Sequence, residues 1–513
     1  MNSDSFKFGQ YLPPHQESRW ATEDEIRASG SRIDLRAKHY PAAGLPILSD
    51  GKVAYVDDRD NHALIYGTTG SKKTRLFCMP MLNIFANAGE SFVVTDPKGE
   101  LYSKTSGLVK AQGYKTVVLN FRDIGKGDMW NPLYIPYKVY HEMDKDSGIR
   151  MLNDFVSILA GPQLKGSQDP FWTESAYSLI LANLVLLIDA ATPAEANLVS
   201  LSTMCDVAHS PTIKKLVSLM DPASIAAMNF QGSVDAPDRT KQSMYSVAQS
   251  MLRPFRSQMS LTRMLSGNNI DISSIGRQKT AVYVIIPDEK TSCHFLASVF
   301  MKQVYEILIS EAQKEPDFRL PVRVNFVLDE FCNIPKIPDM PAMISAARSR
   351  NIRYYLVAQS LHQMKGLYGE DANTIKGNCG DWVFLTSRER ELLHEISDLC
   401  GQNLSADGYV RPLISISELQ RLDKDLGEAL ILSDRQYPFI TRMPDIDEYE
   451  MFRSYPPVPQ KKSFLPEVAV FSLSDLLHGV VMGDIECPFG KPDYDYSILL
   501  DATAQRRRNN PTT

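Results

Sequence analysis

Apolar residues along the chain come in two rhythms. Short continuous runs bounded by turn residues occur at Ala63–Tyr66, Ser91–Thr95, Lys115–Asn120, Thr280–Pro287, Val322–Leu328, Ile352–Ala358, Trp382–Thr386, Ala429–Leu432 and Phe439–Thr441. A strand covered on both faces shows no polar alternation, so such runs predict buried strands of a parallel sheet. Amphipathic stretches separate them, among them Leu76–Ala88, Phe295–Gln313 and Arg388–Leu399. Strand, helix and strand at this spacing are βαβ units. Pro80 falls inside the first helical stretch, so that helix is expected to kink there or to begin later.

From about residue 136 to residue 274 the strand runs vanish. Long amphipathic stretches replace them: Ile149–Ala160, Trp172–Ala190, Asn197–Ala208, Ile213–Met220 and Ser243–Ser257. The fold class is α/β with a mainly parallel sheet, interrupted by an all-α insertion. The division predicted is an N-terminal arm over 1–50, a discontinuous sheet domain over 51–136 and 276–445, the insertion over 137–275, and a peripheral C-terminal extension over 446–513 with a disordered basic tip. Thr22 followed by Glu25 has the spacing of a capping box and starts a short helix in the arm.

Composition narrows the classes. The 513 residues carry a net charge of −6, so the chain as a whole is no basic nucleic-acid binder. DNA contact would need a local basic patch or a ring of subunits presenting one. Arg239, Lys241, Arg253, Arg256 and Arg263 gather in the insertion on a glutamine- and serine-rich background, where a solvated face is the plainer reading. The seven cysteines form no CxxC pair, which speaks against a zinc site or a disulfide framework and for a reducing compartment. Leu179–Ile188 is a short apolar run flanked by Glu174 and Asp189, more like a core helix than a membrane span.

The candidate chemistry begins where the first sheet run ends. Gly67-Thr68-Thr69-Gly70-Ser71-Lys72-Lys73-Thr74 follows Ala63–Tyr66 and opens a helix. A glycine turn ahead of a helix N-terminus can aim backbone N–H groups at a phosphate chain. Lys73 would reach the β- and γ-phosphates of ATP and Thr74 would hold Mg2+. The phosphate-loop pattern has glycine where this chain has Lys72. A side chain there is expected either to crowd the phosphates or to add its own charge. By itself, a glycine turn before a surface helix with two solvated lysines has the same letters.

A second stretch changes the weight. Val322–Leu328 ends in Asp329-Glu330, adjacent carboxylates suited to the metal and to a catalytic base. Gln359 follows Ile352–Ala358, at a strand end where it could sense the γ-phosphate. Arg348 and Arg350 precede that strand and are candidates for a charge supplied to a neighbour's nucleotide; in such a loop arginines also serve as plain ion-pair residues.

Together the pieces resemble one family, the type IV secretion coupling proteins, the TraG-like ATPases of bacterial conjugation. The likeness runs from Ser18 to about Tyr449. It is carried by SRWATEDEI, GTTGSKKTR, VVTDPKGELY, WNPL at Trp130–Leu133, VLDEF, the run AARSRNIRYYLVAQSLHQMKGLYG into IKGNCGDWVFL, and LISISELQRLDKDLGEALIL. The resemblance implies a RecA/FtsK-like P-loop domain with the all-α domain inserted, ATP and Mg2+ as cofactors, and a homo-hexameric ring on the inner face of the cell membrane. It implies single-stranded DNA with its relaxase and the secretion channel proteins as partners. By motif position Lys73 and Thr74 carry over to phosphate and metal, Asp329 and Glu330 to the metal and catalytic carboxylates, Gln359 to the sensor, and Arg350 or Arg348 to the trans arginine. Asp96 and Lys98 carry over as signature residues without a role.

Two departures stand out. Family members usually have an N-terminal membrane anchor, and none is expected from this sequence; either a partner supplies the anchor and holds the chain at the membrane, or this member acts away from a channel. Lys72 opens the alternative of a non-hydrolysing docking module on the same fold. Protein cargo in place of DNA is a third reading that nothing in the sequence separates.

Overall fold

The computed structural model describes residues 18–166, 169–404, 409–452, 455–463 and 465–491. The basic tip and residues 1–17 of the arm lie outside the described residues.

The strands are β1 (Ser31–Asp34), β2 (Leu45–Ser49), β3 (Val53–Asp57), β4 (His62–Tyr66), β5 (Ser91–Asp96), β6 (Lys115–Asn120), β7 (Thr280–Ile285), β8 (Val324–Leu328), β9 (Ile352–Ala358), β10 (Cys379–Phe384), β11 (Gln402–Leu404), β12 (Val410–Pro412), β13 (Glu428–Ser433) and β14 (Phe439–Arg442). Nine of them form one sheet in the order β14-β13-β10-β4-β9-β8-β5-β7-β6. From β10 to β6 every pairing is parallel, and β13 and β14 close one edge antiparallel. The α/β, mainly parallel architecture agrees with the sequence reading.

Why the runs are continuously apolar is visible in β4. Leu64 and Tyr66 enter one core, Ala63 and Ile65 the other, and all four are buried. Alternate residues of a strand face opposite sides, so a sheet covered on both faces needs apolar side chains at every position. The second core is roofed by the helical segments Thr74–Ala88 and Glu100–Ala111 and by the small antiparallel sheet β1-β3-β2. The 1–50 boundary therefore cuts through a folded unit, because β1 and β2 pair with β3. Thr22 and Glu25 do form the capping box at the start of Glu23–Ser29.

Pro80 neither breaks nor delays its helix. The helix opens at Thr74 with a wide π turn, in which the N–H of Met79 donates to Thr74 O. Pro80 then falls in the first turn of the α-helical part, Met79–Ala88, where its missing N–H is tolerated.

Between β6 and β7 the chain is helical, with Lys145–Gly166 and Pro170–Ala190 as the long members. Pro170–Ala190 is long and apolar enough to cross a membrane, the one such helix among the described residues, but two thirds of its apolar window is buried within the protein (67%). The WNPL stretch seats this layer on the sheet domain. Trp130 is fully buried edge-on against Phe300 at 5.2 Å, and Gln303 Nε2 donates to Pro132 O at 2.7 Å. Lys302 adds ion pairs to Asp154 of the insertion at 3.4 Å and to Asp339 at 2.9 Å.

The C-terminal extension is not peripheral. Val458 N donates to Ser106 Oγ, Asn120 Nδ2 to Gln460 Oε1, and Gly127 N to Lys461 O, so the segment runs beside the β6 edge. It then enters the insertion, where Phe471 N donates to Ser200 Oγ and helix Leu473–Met482 packs on Ser210–Leu219. The apolar residues Leu473, Leu476 and Val480 account for this, since they recur at helical spacing and are buried there.

Candidate nucleotide site

The carboxyl ends of β4, β9, β8 and β5 are neighbours, and each delivers one piece of the site. In an open α/β sheet this is where ligands gather. β4 delivers the loop Gly67–Thr74, β9 delivers Gln359, β8 delivers Asp329 and Glu330, and β5 delivers Asp96.

The loop is tightly wound. Ser71 N donates to Thr68 O at 3.1 Å. Lys73 is buried, its Nζ donating to Gly67 O at 2.6 Å and Thr68 O at 3.3 Å. A Cβ on Gly67 would stand 2.3 Å from Ser71 Oγ, so any side chain there would displace the Ser71 hydroxyl. Gly70 has φ +79° and open space around it, while Ser71 Oγ is buried without a hydrogen-bond partner among the described residues. A buried hydroxyl in want of a partner, inside a glycine turn at a helix N-terminus, fits an anionic phosphate chain.

Behind the loop, Thr74 Oγ1 donates to Asp329 Oδ2 at 2.8 Å. Asp329 is buried, and burial, followed by the charge of Glu330, pushes its carboxyl up to about 7. A hydroxyl and a carboxylate brought together from two strands are the oxygen ligands that Mg2+ takes. Thr95 Oγ1 donates to Asp329 O at 2.7 Å and locks the end of β8 to β5.

Glu330 and Gln359 are joined directly. Gln359 Nε2 donates to Glu330 Oε2 at 2.6 Å, and Gln359 Oε1 accepts from Thr69 Oγ1 at 3.1 Å. The loop, the glutamine and the carboxylate thus form one chain. Glu330 itself has φ +56°, a left-handed backbone that side-chain-bearing residues rarely adopt and that clusters at functional sites.

Lys72 corrects an expectation. It has φ +65°, the conformation that explains why the pattern uses glycine at this position. Its side chain neither crowds the loop nor offers its charge there. It turns outward to Asp425 at 3.4 Å and Asp445 at 3.5 Å. Those acids follow it by more than 350 positions, and no spacing rule links them to the loop.

Asp96 is fully buried, and burial pushes its carboxyl up to about 6. Its Oδ2 accepts from Tyr102 N at 2.9 Å, which ties the DPKGE turn to the start of Glu100–Ala111, and its Oδ1 has no hydrogen-bond partner among the described residues. Lys98 is exposed.

Arg348 and Arg350 are not brought to this cluster. They lie at the amino end of β9, with Arg348 exposed on a polar cleft of about 470 Å³ lined also by His62, Lys376 and Asn378. Of the basic residues in the insertion, Arg256 pairs with Asp206 at 3.7 Å, and Arg239 is exposed on an open groove beside Trp172 and Gln242.

Comparison with known proteins places this arrangement. The family model for type IV secretory system conjugative DNA transfer matches residues 19–406. The conjugal transfer protein TraG of Escherichia coli is 25% identical over 438 residues, 78% of this chain and 66% of that protein. Protein VirD4 of Rhizobium radiobacter is 21% identical over 461 residues, 87% of this chain and 63% of that protein. The chain thus spans just under two thirds of the length of these curated relatives. Among solved structures, the plasmid coupling protein TrwB in complex with a non-hydrolysable ATP analogue superimposes with a TM-score of 0.64 at 14% identity, over 88% of this chain and 97% of that one. TrwB in complex with ADP and Mg2+ gives 0.60 at 14% identity, over 84% and 94%. At that identity the likeness speaks for the fold, a RecA-like P-loop architecture.

Proposed function

Because the chain belongs to the type IV secretory system conjugative DNA transfer family, we propose that it is a coupling ATPase that uses ATP hydrolysis to move a relaxase-bound single strand of DNA toward a secretion channel. The observation that carries the ATPase part is the hydrogen-bonded chain Thr69–Gln359–Glu330 beside the Thr74–Asp329 contact. A docking module without turnover has no need of a glutamine bridging the loop to a carboxylate.

In this reading Lys73 and the loop N–H groups hold the phosphates, and Thr74 with Asp329 holds Mg2+. Bound there, Mg2+ would neutralise charge that builds on the phosphoryl oxygens. Gln359 fixes the Glu330 carboxylate through Oε2 and leaves Oε1 to take a proton from the attacking water. Arg348 or Arg350 would reach a neighbour's site in a homo-hexameric ring. Partners at the inner face of the membrane would hold that ring beside the channel. The insertion, with Arg239 on its open groove, is the surface assigned to the relaxase–DNA cargo.

The test is Mg2+-dependent ATP hydrolysis by the full chain with and without single-stranded DNA, beside Lys73→Ala and Glu330→Gln. Turnover by the wild type that DNA stimulates and both substitutions abolish supports the motor. Nucleotide binding without turnover, even with DNA and at concentrations that assemble the ring, would favour the docking module instead.

A further inference from the structure

Lys72 and Arg75 bracket Lys73-Thr74, and both reach the same carboxylate. Lys72 Nζ lies 3.5 Å from Asp445 Oδ2, and Arg75 makes a two-pronged contact with Asp445. Asp425 takes a second contact from Lys72 at 3.4 Å, and Asp447 takes one from Arg75 at 2.6 Å. The acids flank the open end of the antiparallel pair β13–β14, Asp425 just before β13 and Asp445 just after β14, at the sheet edge rather than beside β4.

The two arms that carry these acids are fixed to each other. Gly427, two residues after Asp425, has φ +68°, and a Cβ there would stand 2.0 Å from Met443 O. Met443 N donates to Gly427 O at 2.9 Å, two residues before Asp445. Asp445 also opens a capped turn, in which its N–H donates to Glu448 Oε1 at 2.9 Å while Ile446 and Tyr449 are buried. The acids are therefore held in place by structure that does not depend on the loop.

A lysine in a left-handed backbone is strained, and in a phosphate loop its side chain has two directions open to it, toward the anion or away. Here it is drawn away. We propose that Asp445, assisted by Asp425, is a positioning residue of the phosphate loop: it latches the Lys72 side chain outward and so lets a lysine occupy the position where the motif calls for glycine. The consequence for nucleotide rests on the phosphate-binding reading above; the latch itself concerns the nucleotide-free protein.

The experiment is a double-mutant cycle on the full chain, combining Asp445→Asn with Lys72→Gly. The first readout is hydrogen exchange of the peptide covering Gly67–Arg75 without nucleotide. Asp445→Asn should raise its exchange about fivefold when Lys72 is present, and about twofold or less in the Lys72→Gly background, the scale of one partly exposed ion pair. Loss of the Arg75 contact is common to both arms and cancels. Asp425→Asn, whose exposed carboxylate pairs with Lys72 alone among the described residues, should show a smaller rise that vanishes with Lys72→Gly, and it covers the case in which Asp445→Asn does not fold. Asp445→Glu should restore most of the protection.

The second readout is affinity for a fluorescent ADP analogue with Mg2+, which should follow the same pattern. Equal effects of the acid substitutions in both backgrounds, or none in either, overturn the latch. If exchange shows the coupling but no variant binds the analogue, the latch stands and the nucleotide reading falls. If the analogue binds and exchange shows no coupling, the latch falls and the nucleotide reading stands.

Discussion

Arg350 and Gln359 stand at opposite ends of the same strand. β9 spans Ile352–Ala358, with the turn Arg348–Arg350 just before it and Gln359 just after. At about 3.3 Å per residue the strand alone separates them by roughly 23 Å. Gln359 touches the phosphate loop of its own subunit, so Arg350 cannot act at that loop. If either arginine serves catalysis, it serves a neighbour. Arg350→Ala and Lys73→Ala chains should each be inactive alone and should regain part of the activity when mixed, because a mixed ring contains interfaces with one intact site facing one intact arginine. Absence of recovery in mixed rings, once subunit exchange is verified, would remove Arg350 from a role at a neighbour's site. The same mixing with Arg348→Ala decides between the two.

Glu330 and Gln359 are expected to separate chemistry from binding. Glu330→Gln removes the proton acceptor while keeping the size of the side chain and a partner for Gln359. Turnover should fall by about 10²–10⁴-fold, the usual worth of a positioned base, with nucleotide affinity changed little. Gln359→Ala frees the carboxylate and also the Thr69 hydroxyl, so it should lower turnover and weaken binding together. Steady-state rates beside a binding titration test this, and a Glu330→Gln chain that turns over like the wild type would exclude Glu330 as the base.

How legible this site was in the sequence depended on how far each piece must reach. The strand ends were legible because a strand buried on both faces is a continuous apolar run. Asp329, Glu330 and Gln359 could be placed from the runs that precede them. Lys72 was legible only as a misfit, because the residues that accommodate it, Asp425 and Asp445, flank β13 and β14, more than 350 positions further along the chain. Pro80 looked like a helix breaker because a helical pattern says nothing of a π turn that shifts the register. The return of Phe471 and Leu473–Met482 to the insertion was hidden by prolines between them and the sheet, which made a packed segment read as a tail. Asp96 could be noticed as part of a signature, but the free Oδ1 beside a tethered Oδ2 is a fact of three dimensions.

Arg353 gives a test of the fold independent of nucleotide. It is 1% exposed near the amino end of β9, the central strand of the sheet, with Nη2 on Glu90 Oε2 at 2.5 Å, Nε on Asn325 Oδ1 at 2.9 Å and Nη1 on Ala43 O at 2.9 Å. It ties β9 to β8, to the turn before β5 and to the segment leading into β2. Arg353→Ala leaves the Ala43 carbonyl without its partner, leaves the Glu90 carboxylate with the Asn325 amide in place of its close cation, and opens a cavity. The expected loss is about 3–5 kcal/mol in urea unfolding, as for a broken buried ion pair. A loss below about 1 kcal/mol would mean that water or Arg323, 4.0 Å from Glu90, takes over the contact.

Asp96 carries a pH dependence whose sign can be worked out. Burial raises its carboxyl from 3.8 to about 6 in the folded chain, against the help of the Tyr102 N–H. Between those values the folded state binds more protons than the unfolded state. Stability from this group is therefore full below about pH 4 and is lost as pH rises through about 6. The total is on the order of 2–3 kcal/mol for a shift of about two pKa units. Asp96→Asn keeps an oxygen for the Tyr102 N–H and removes the titration. Its stability relative to wild type should climb between pH 4 and pH 6 and level off above. Denaturant unfolding with EDTA present measures the difference, in which the contribution of Asp329 cancels apart from the smallest of its causes, the charge of Asp96 itself. A difference that stays flat across this range would show that Asp96 is ionised in the folded chain throughout, with its Oδ1 held by a partner such as a buried water.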